Sequence, residues 1–347
     1  MWLSDRWRDY EVLDTSSGEK LERWGEYILV RPDPQVIWNT PHDSYGWKQK
    51  NAHYHRSDKG GGRWEFFDMP EQWTIDYELK KVASGDQSGS VMGNGDSTDG
   101  SQDRLLTFNL KPFQFKHTGL FPEQAVNWDW MAERIALSGK KLYHRCGGMS
   151  EAGSVSGDRT GGQSHDFGNK DSFRVLNLFA YTGGATAACL KAGAQVTHVD
   201  ASKGMVGWAK ENAVSSGLND APVRFFVDDC VKLVERELRR GNHYDGILMD
   251  PPSYGRGPKG EIWKLEEKVY ELISLTAGLL SEDASFFLIN SYTTGLQPAV
   301  LDHMLKLALK KDLGGRVEAD EVGLPVKDGL TDGLILPCGA TGRWFRE

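Results

Sequence analysis

Between Phe173 and Ile289 the chain alternates short apolar stretches with polar or glycine-rich turns. Phe173–Phe179, Val196–Val199, a stretch ending at Val227, Tyr244–Asp250 and Ser285–Ile289 are β-branched or aromatic-rich, the signature of buried strands. Helical pattern fills the gaps, as in Ala185–Ala192 and Lys203–Val214. Repeated βα alternation predicts an α/β fold of Rossmann-like type, with a mostly parallel sheet and its ligand at the carboxyl edge of the strands.

Upstream the pattern is less regular. Tyr27–Val30 is a strand candidate closed by Arg31-Pro32-Asp33-Pro34, Leu105–Leu110 is a second, and Ala125–Leu137 reads as a helix covering the edge of the large sheet. Ser84–Asp103 and Gly147–Asp166 are Gly/Ser/Asp-rich and have little to bury. The expected organisation is a small β-rich module over 1–82, a disordered loop over 83–104, and a catalytic domain over 105–347 carrying a disordered insert at 146–170. Nine of the twelve tryptophans precede residue 131, so their rings are either the core of a module poor in aliphatic residues or a stacking surface for bases.

A hydrophobic content of 39% and a charged content of 26% are globular values. No apolar run approaches bilayer length and the amino terminus has no signal-peptide core, so the expectation is a cytoplasmic protein with no membrane partner. The net charge of −8 confines any nucleic-acid surface to a local patch. The four cysteines lack metal-ligand spacing, so no metal is expected; oligomeric state stays open.

The turns carry the chemistry. Ala180-Tyr181-Thr182-Gly183-Gly184 is a glycine turn opening a helix, where free N–H groups meet a ligand; it lacks the full dinucleotide fingerprint, which disfavours NAD. Asp200, 17 residues after Gly183, ends the second strand and suits a ribose hydroxyl pair, with Ser202 available to cap the next helix instead. Asp228 and Asp229 follow the third strand, and Asp229 is favoured as the acceptor for an adenine amine. After the fourth strand come Asp250-Pro251-Pro252-Ser253-Tyr254. The prolines fix the backbone so that the Asp250 side chain and the Pro251 carbonyl face the cleft as acceptors, and Tyr254 can stack on a planar substrate.

These pieces together resemble a class I S-adenosylmethionine-dependent methyltransferase. With His117–Gln124, Asn177–Gly183, Val199–Ser202, Trp208–Asn212 and Asp250–Gly257 the chain looks like the bacterial large-subunit rRNA methyltransferases that modify cytosine C5 or guanine, over about residues 105–300. The resemblance implies a seven-stranded sheet, S-adenosylmethionine as cofactor and a structured RNA, rRNA, as partner. It implies cofactor contacts at Asn177, Phe179, Tyr181, Thr182, Gly183, Asp200, Ala201, Ser202, Asp229 and Cys230. It also implies catalytic roles for Asp250, Pro251, Pro252 and Tyr254, and substrate contacts at Gln124, Tyr254 and Tyr292. Cytosine-C5 relatives carry a cysteine after the fifth strand, where this chain has Asn290-Ser291-Tyr292-Thr293. Methylation of a nitrogen is therefore expected, against a small molecule or protein side chain as substrate, or a regulatory module that binds cofactor without turnover.

Overall fold

The computed structural model of the chain describes residues 1–57, 61–82, 102–113, 116–143, 171–256, 262–293, 295–327 and 333–346. The amino-terminal part contributes β1 (Trp2–Leu3), β2 (Tyr10–Ser16), β3 (Glu19–Trp24), β4 (Tyr27–Pro32), β5 (Ala52–Arg56), β6 (Gly62–Phe66), β7 (Trp73–Glu78) and β8 (Leu105–Leu110). The remainder contributes α1 (Ala125–Leu137), β9 (Arg174–Leu178), α2 (Gly184–Lys191), β10 (Gln195–Asp200), α3 (Lys203–Ser215), β11 (Val223–Val227) and α4 (Cys230–Arg240). After these come β12 (Gly246–Met249), β13 (Tyr254–Arg256), β14 (Ile262–Lys264), α5 (Leu265–Ala277), β15 (Phe286–Ser291), α6 (Pro298–Leu305), β16 (Arg316–Pro325) and β17 (Ile335–Phe345).

The central sheet has eight strands in the order β1-β16-β17-β15-β12-β9-β10-β11. Its pairings are parallel except those of β17, which runs antiparallel to both β15 and β16. Seven of these strands make the expected Rossmann-like sheet, and β1 adds an eighth at its edge. Register brings the chemistry together: Leu178 pairs with both Val199 and Met249, and Met249 pairs with Ile289. The turns after β9, β10 and β12 therefore leave the sheet side by side.

Period-two alternation divides the core. Val175, Leu248, Phe286 and Leu288 face one cluster with α1 and α2, while Leu176, Ile247, Phe287 and Ile289 face the other with α4, α5 and α6. Both faces are covered, which is why these strands read as continuous apolar runs. Helix α1 does not cap the sheet edge as the sequence predicts. It lies on a face, with Trp130 edge-on to Phe286 of β15 and Phe345 of β17, because its apolar stripe is matched by aromatic side chains there.

Backbone pairing crosses the boundary expected near residues 83–104. β7 pairs with β8 along its whole length, and Trp2–Leu3 of β1 pair with Val322–Gly323 of β16. Residues 102–104 form a 3-10 turn in which Arg104 meets Glu78 at 2.6 Å. The rest of the loop expected at 83–104, and nearly all of the insert expected at 146–170, lie outside the described residues. The tryptophans are largely core: Trp7, Trp24, Trp73 and Trp128 join the same cluster as Phe173 and Val175. Burying a ring of this size is worth about 4 kcal/mol of transfer free energy, enough to build a core where aliphatic residues are few. Strand β4 runs on through Pro32, past the expected stop. Its ladder to β5 ends at Val30, so the missing proline N–H breaks no pairing there.

Candidate active site

The turn after β9 is conformationally costly. Phe179, Tyr181 and Gly183 all have left-handed backbones, with φ of 55°, 50° and 80°. Two non-glycine residues in this region within three positions represent stored strain of the kind that clusters at ligand sites. At Gly183 a Cβ would also come within 2.9 Å of the Ala209 Cβ, so glycine is required on both counts. Helix α2 then starts with no side-chain cap, and Gly184 and Ala185 in its first turn line a cavity.

Neighbouring segments hold the turn in place. Thr182 Oγ1 donates to the Gly119 carbonyl at 2.6 Å, and Asn212 Nδ2 donates to the Thr182 carbonyl at 2.8 Å. Asn177 Nδ2 donates to Thr186 Oγ1, which in turn meets Nδ1 of the buried His198. Asp200 accepts the Tyr181 N–H at 2.9 Å through one oxygen and the Ser202 N–H at 2.8 Å through the other. Burial raises its pKa, and those two N–H groups oppose the rise. Ser202 caps α3 by accepting from Met205 N. Ala201, between Asp200 and Ser202, is exposed.

Of the acid pair, Asp229 caps α4, accepting from Lys232 N at 3.0 Å, while Asp228 pairs with Arg236 at 2.7 Å. The Cys230 thiol is buried between the Phe179 N–H, which donates to it at 3.3 Å, and the Val199 carbonyl. Its side chain braces the strained turn.

The cavity lies between this turn, the segment before α1 and the ends of β12 and β15. Gln124, Asn177, Phe179, Tyr181, Thr182 and Asp250, all expected from sequence, line it together with Phe121, Asn127, Trp128 and Asn290, which sequence reasoning missed. Asp200, Asp229, Pro251, Pro252, Tyr254 and Tyr292 are not among its lining residues. Pro251 is buried, and the Pro252 carbonyl accepts from Trp263 Nε1 at 2.8 Å. Tyr254 pairs with Lys264 across the short β13–β14 ladder and is 52% exposed.

A buried polar network floors the cavity. Gln124 Nε2 donates to the Tyr292 hydroxyl at 2.6 Å, and Gln124 Oε1 accepts from Asn127 and Asn290 at 2.8 and 2.9 Å. Arg343 donates to Asn127 Oδ1 at 2.5 Å while its guanidinium stacks on Trp2 at 3.7 Å. The Gln124 amide is therefore committed within the protein, and it aims Tyr292. Asn127 carries a readable signal, a polar residue on the apolar face of α1.

Asp250 is the exception to this pairing. Its carboxylate has no hydrogen-bond or ion-pair partner among the described residues, and burial, with the Glu123 carboxylate nearby, pushes its pKa up to about 7. Between about pH 4 and 7 the folded chain therefore holds a proton here that the unfolded chain has lost, and stability falls as pH rises through that window. Asp250→Asn should raise the melting temperature at pH 8 and change it little at pH 4. Equal shifts at both values would show that the carboxyl is not perturbed.

A family model of S-adenosylmethionine-dependent methyltransferases matches residues 159–262. A solved S-adenosylmethionine-dependent methyltransferase from Agrobacterium tumefaciens aligns with a TM-score of 0.76 and 30% identity, covering 99% of this chain and 93% of that one. The chain belongs to this methyltransferase family. S-adenosylmethionine is its cofactor, as the order of turns predicts. The methyltransferase is also similar over shorter stretches to two curated relatives. One is the ribosomal RNA large subunit methyltransferase K/L of Shewanella frigidimarina, 33% identical over 119 residues. The other is the ribosomal RNA large subunit methyltransferase I of Klebsiella pneumoniae, 40% identical over 82 residues. These matches cover 34% and 23% of this chain and only 16% and 20% of the relatives. Among the described residues no helix is long and apolar enough to cross a membrane.

Proposed function

We propose that this methyltransferase, acting in the cytoplasm, methylates a nitrogen atom of a base in structured RNA, rRNA in particular, without a covalent enzyme intermediate. The observation that carries the reading is Asp250: a carboxylate at the cavity, beside the strained turn, with no partner and no reactive thiol to serve a carbon acceptor among the described residues. Cys189 is buried and pushed up to about 12, Cys230 is buried with its thiol hydrogen-bonded, and burial raises Cys338 well above its usual value. A thiol that resists ionisation is a poor nucleophile. The RNA assignment draws on the two ribosomal RNA relatives.

The residues present fit the cofactor. The uncapped first turn of α2 offers N–H groups to a carboxylate, Asp200 stands at the tip of β10 for a ribose hydroxyl pair, and Asp229 for an adenine amine. The Tyr181 hydroxyl is buried with no hydrogen-bond partner among the described residues, a polar atom left for a ligand. Cys230 contributes through its main chain, since its side chain is enclosed. The bound cofactor supplies an electrophilic methyl group on a sulfonium. Asp250 orients the acceptor by taking a hydrogen bond from its N–H. Transfer of that methyl to nitrogen would break its bond to sulfur and release the thioether, and the Asp250 carboxylate would take up the nitrogen proton, a task matched to a group held at about 7. Tyr254, exposed beside the Asp-Pro-Pro turn, stacks on the base, which must leave its own stack to enter.

Comparing modified nucleosides by mass spectrometry in total RNA with and without the protein tests this. Loss of one N-methylated nucleoside is expected. An unchanged RNA profile would move the acceptor to a small molecule or protein side chain. A covalent adduct trapped on 5-fluorocytosine RNA would move it to carbon.

Calorimetry tests the cofactor contact separately. Asp200→Ala should weaken binding of S-adenosylhomocysteine by roughly 1.5–3 kcal/mol, the worth of charge-assisted hydrogen bonds. Unchanged affinity in a folded variant would remove Asp200 from the site.

A further inference from the structure

The geometry points to a zinc site on the amino-terminal sheet, held by His53, His55 and Glu65 with Glu19 as a fourth donor. It lies on strands the methyltransferase chemistry does not use, and it is independent of the proposed substrate.

His53 and His55 alternate on β5, so both imidazoles project from one face. β6 runs antiparallel beside it and sets Glu65 opposite His53. One ligand atom each from His53, His55 and Glu65 lie within 4.8 Å of one another. The two imidazole rings are 4.0 Å apart between centroids, and each Nε2 already meets a carboxylate: His53 with Glu19 at 2.6 Å, His55 with Glu65 at 2.8 Å. Two imidazole nitrogens and one Glu65 oxygen, from two paired strands, form a three-donor set within reach of one divalent ion, and Glu19 on β3 stands beside His53 as a further donor. Imidazole nitrogen with carboxylate oxygen is a ligand set that zinc accepts in tetrahedral geometry, and zinc needs no redox partner to stay bound. Glu19 and His55 also line a cavity with Ser17, Asp33 and Arg56, so a solvent molecule can complete the shell.

The site has a mechanical use. The sheet order is β2-β3-β4-β5-β6, and its weakest seam lies between β4 and β5, where only Leu29↔Ala52 and Val30↔His53 pair. An ion bound by Glu19 on β3 and by His53 and His55 on β5 spans that seam. Bound metal would therefore clamp the amino-terminal sheet.

The test is calorimetric titration of Zn²⁺ into the tag-free, chelator-treated full chain, alongside the visible spectrum of a cobalt(II)-loaded sample and the melting temperature with and without metal. One equivalent of zinc, a four-coordinate cobalt spectrum and a raised melting temperature are expected. His53→Gln/His55→Gln should abolish the cobalt spectrum and weaken zinc binding by at least about a hundredfold, and Glu65→Gln by about tenfold or more. Both histidines and Glu65 are at least partly exposed, so these variants should fold, and an unchanged melting temperature of the metal-free double variant checks that. Absence of binding at micromolar zinc overturns the proposal, as does equal stoichiometry and affinity in the wild type and the double variant.

Discussion

Asp250→Ala should reduce methyl transfer by roughly 10²–10⁴-fold while leaving cofactor affinity within about tenfold. Among the described residues the carboxylate is the one acidic group lining the cavity, and it makes no hydrogen bond of its own there. Its role falls in the transition state, where the nitrogen proton becomes acidic, so the loss should appear in kcat. Asp250→Asn keeps a neutral acceptor in the same place and should lose less. The wild-type rate should rise with pH through about 7 as the carboxyl ionises, and Asp250→Asn should flatten that limb. Methyl incorporation into RNA from cells lacking the protein, paired with calorimetry, separates the two terms. A tenfold or smaller fall in kcat for Asp250→Ala would reject Asp250 as the acceptor.

Glu22→Ala should destabilise the fold by about 3–5 kcal/mol, the cost of leaving a buried charge without its partner. Arg31 grips Glu22 with two bonds, at 2.6 and 2.8 Å, and both side chains are almost wholly buried. Tyr10 donates to the same carboxylate at 2.7 Å, and Lys20 stands 3.5 Å away. Burial works against the Glu22 charge, yet Arg31 and Lys20 outweigh it and hold the pKa at about 2. The resulting stability is fully present above about pH 4.5 and is lost as pH falls through about 2. The effect should reach the active site. Arg31 also donates to the Lys116 carbonyl, at the start of the segment whose Gly119 carbonyl receives Thr182. Gly119 itself has φ of 99° and packs so closely on the Trp208 ring that no Cβ fits. Urea unfolding of Glu22→Ala and of Glu22→Leu/Arg31→Met should show the double variant losing less. A single-variant cost under about 1 kcal/mol would mean that solvent reaches the pair.

By itself the sequence determined the catalytic half. Leu105–Leu110 and Ala125–Leu137 fall where β8 and α1 do, and the five βα strands fall within a residue or two of β9, β10, β11, β12 and β15. Apolar periodicity and punctuation by glycine and proline are local properties, written in consecutive residues, and the order of the turns fixed the cofactor. What only the tertiary structure decided depends on residues far apart in the chain. The polar floor draws Gln124, Asn127, Asn290 and Arg343 from α1, the segment before it, β15 and β17. The perturbed Asp250 carboxyl depends on burial and on Glu123, 127 positions away. His53 and His55 were not singled out by the sequence, where a lone His-x-His pair on a strand carries little signal. Nor were their partners Glu19 and Glu65, because strand pairing rather than sequence distance brings them to the same face. A Gly/Ser/Asp-rich run separates β7 from β8 along the chain, but their hydrogen bonds join them across it, since the cost of closing a long loop grows only slowly with its length.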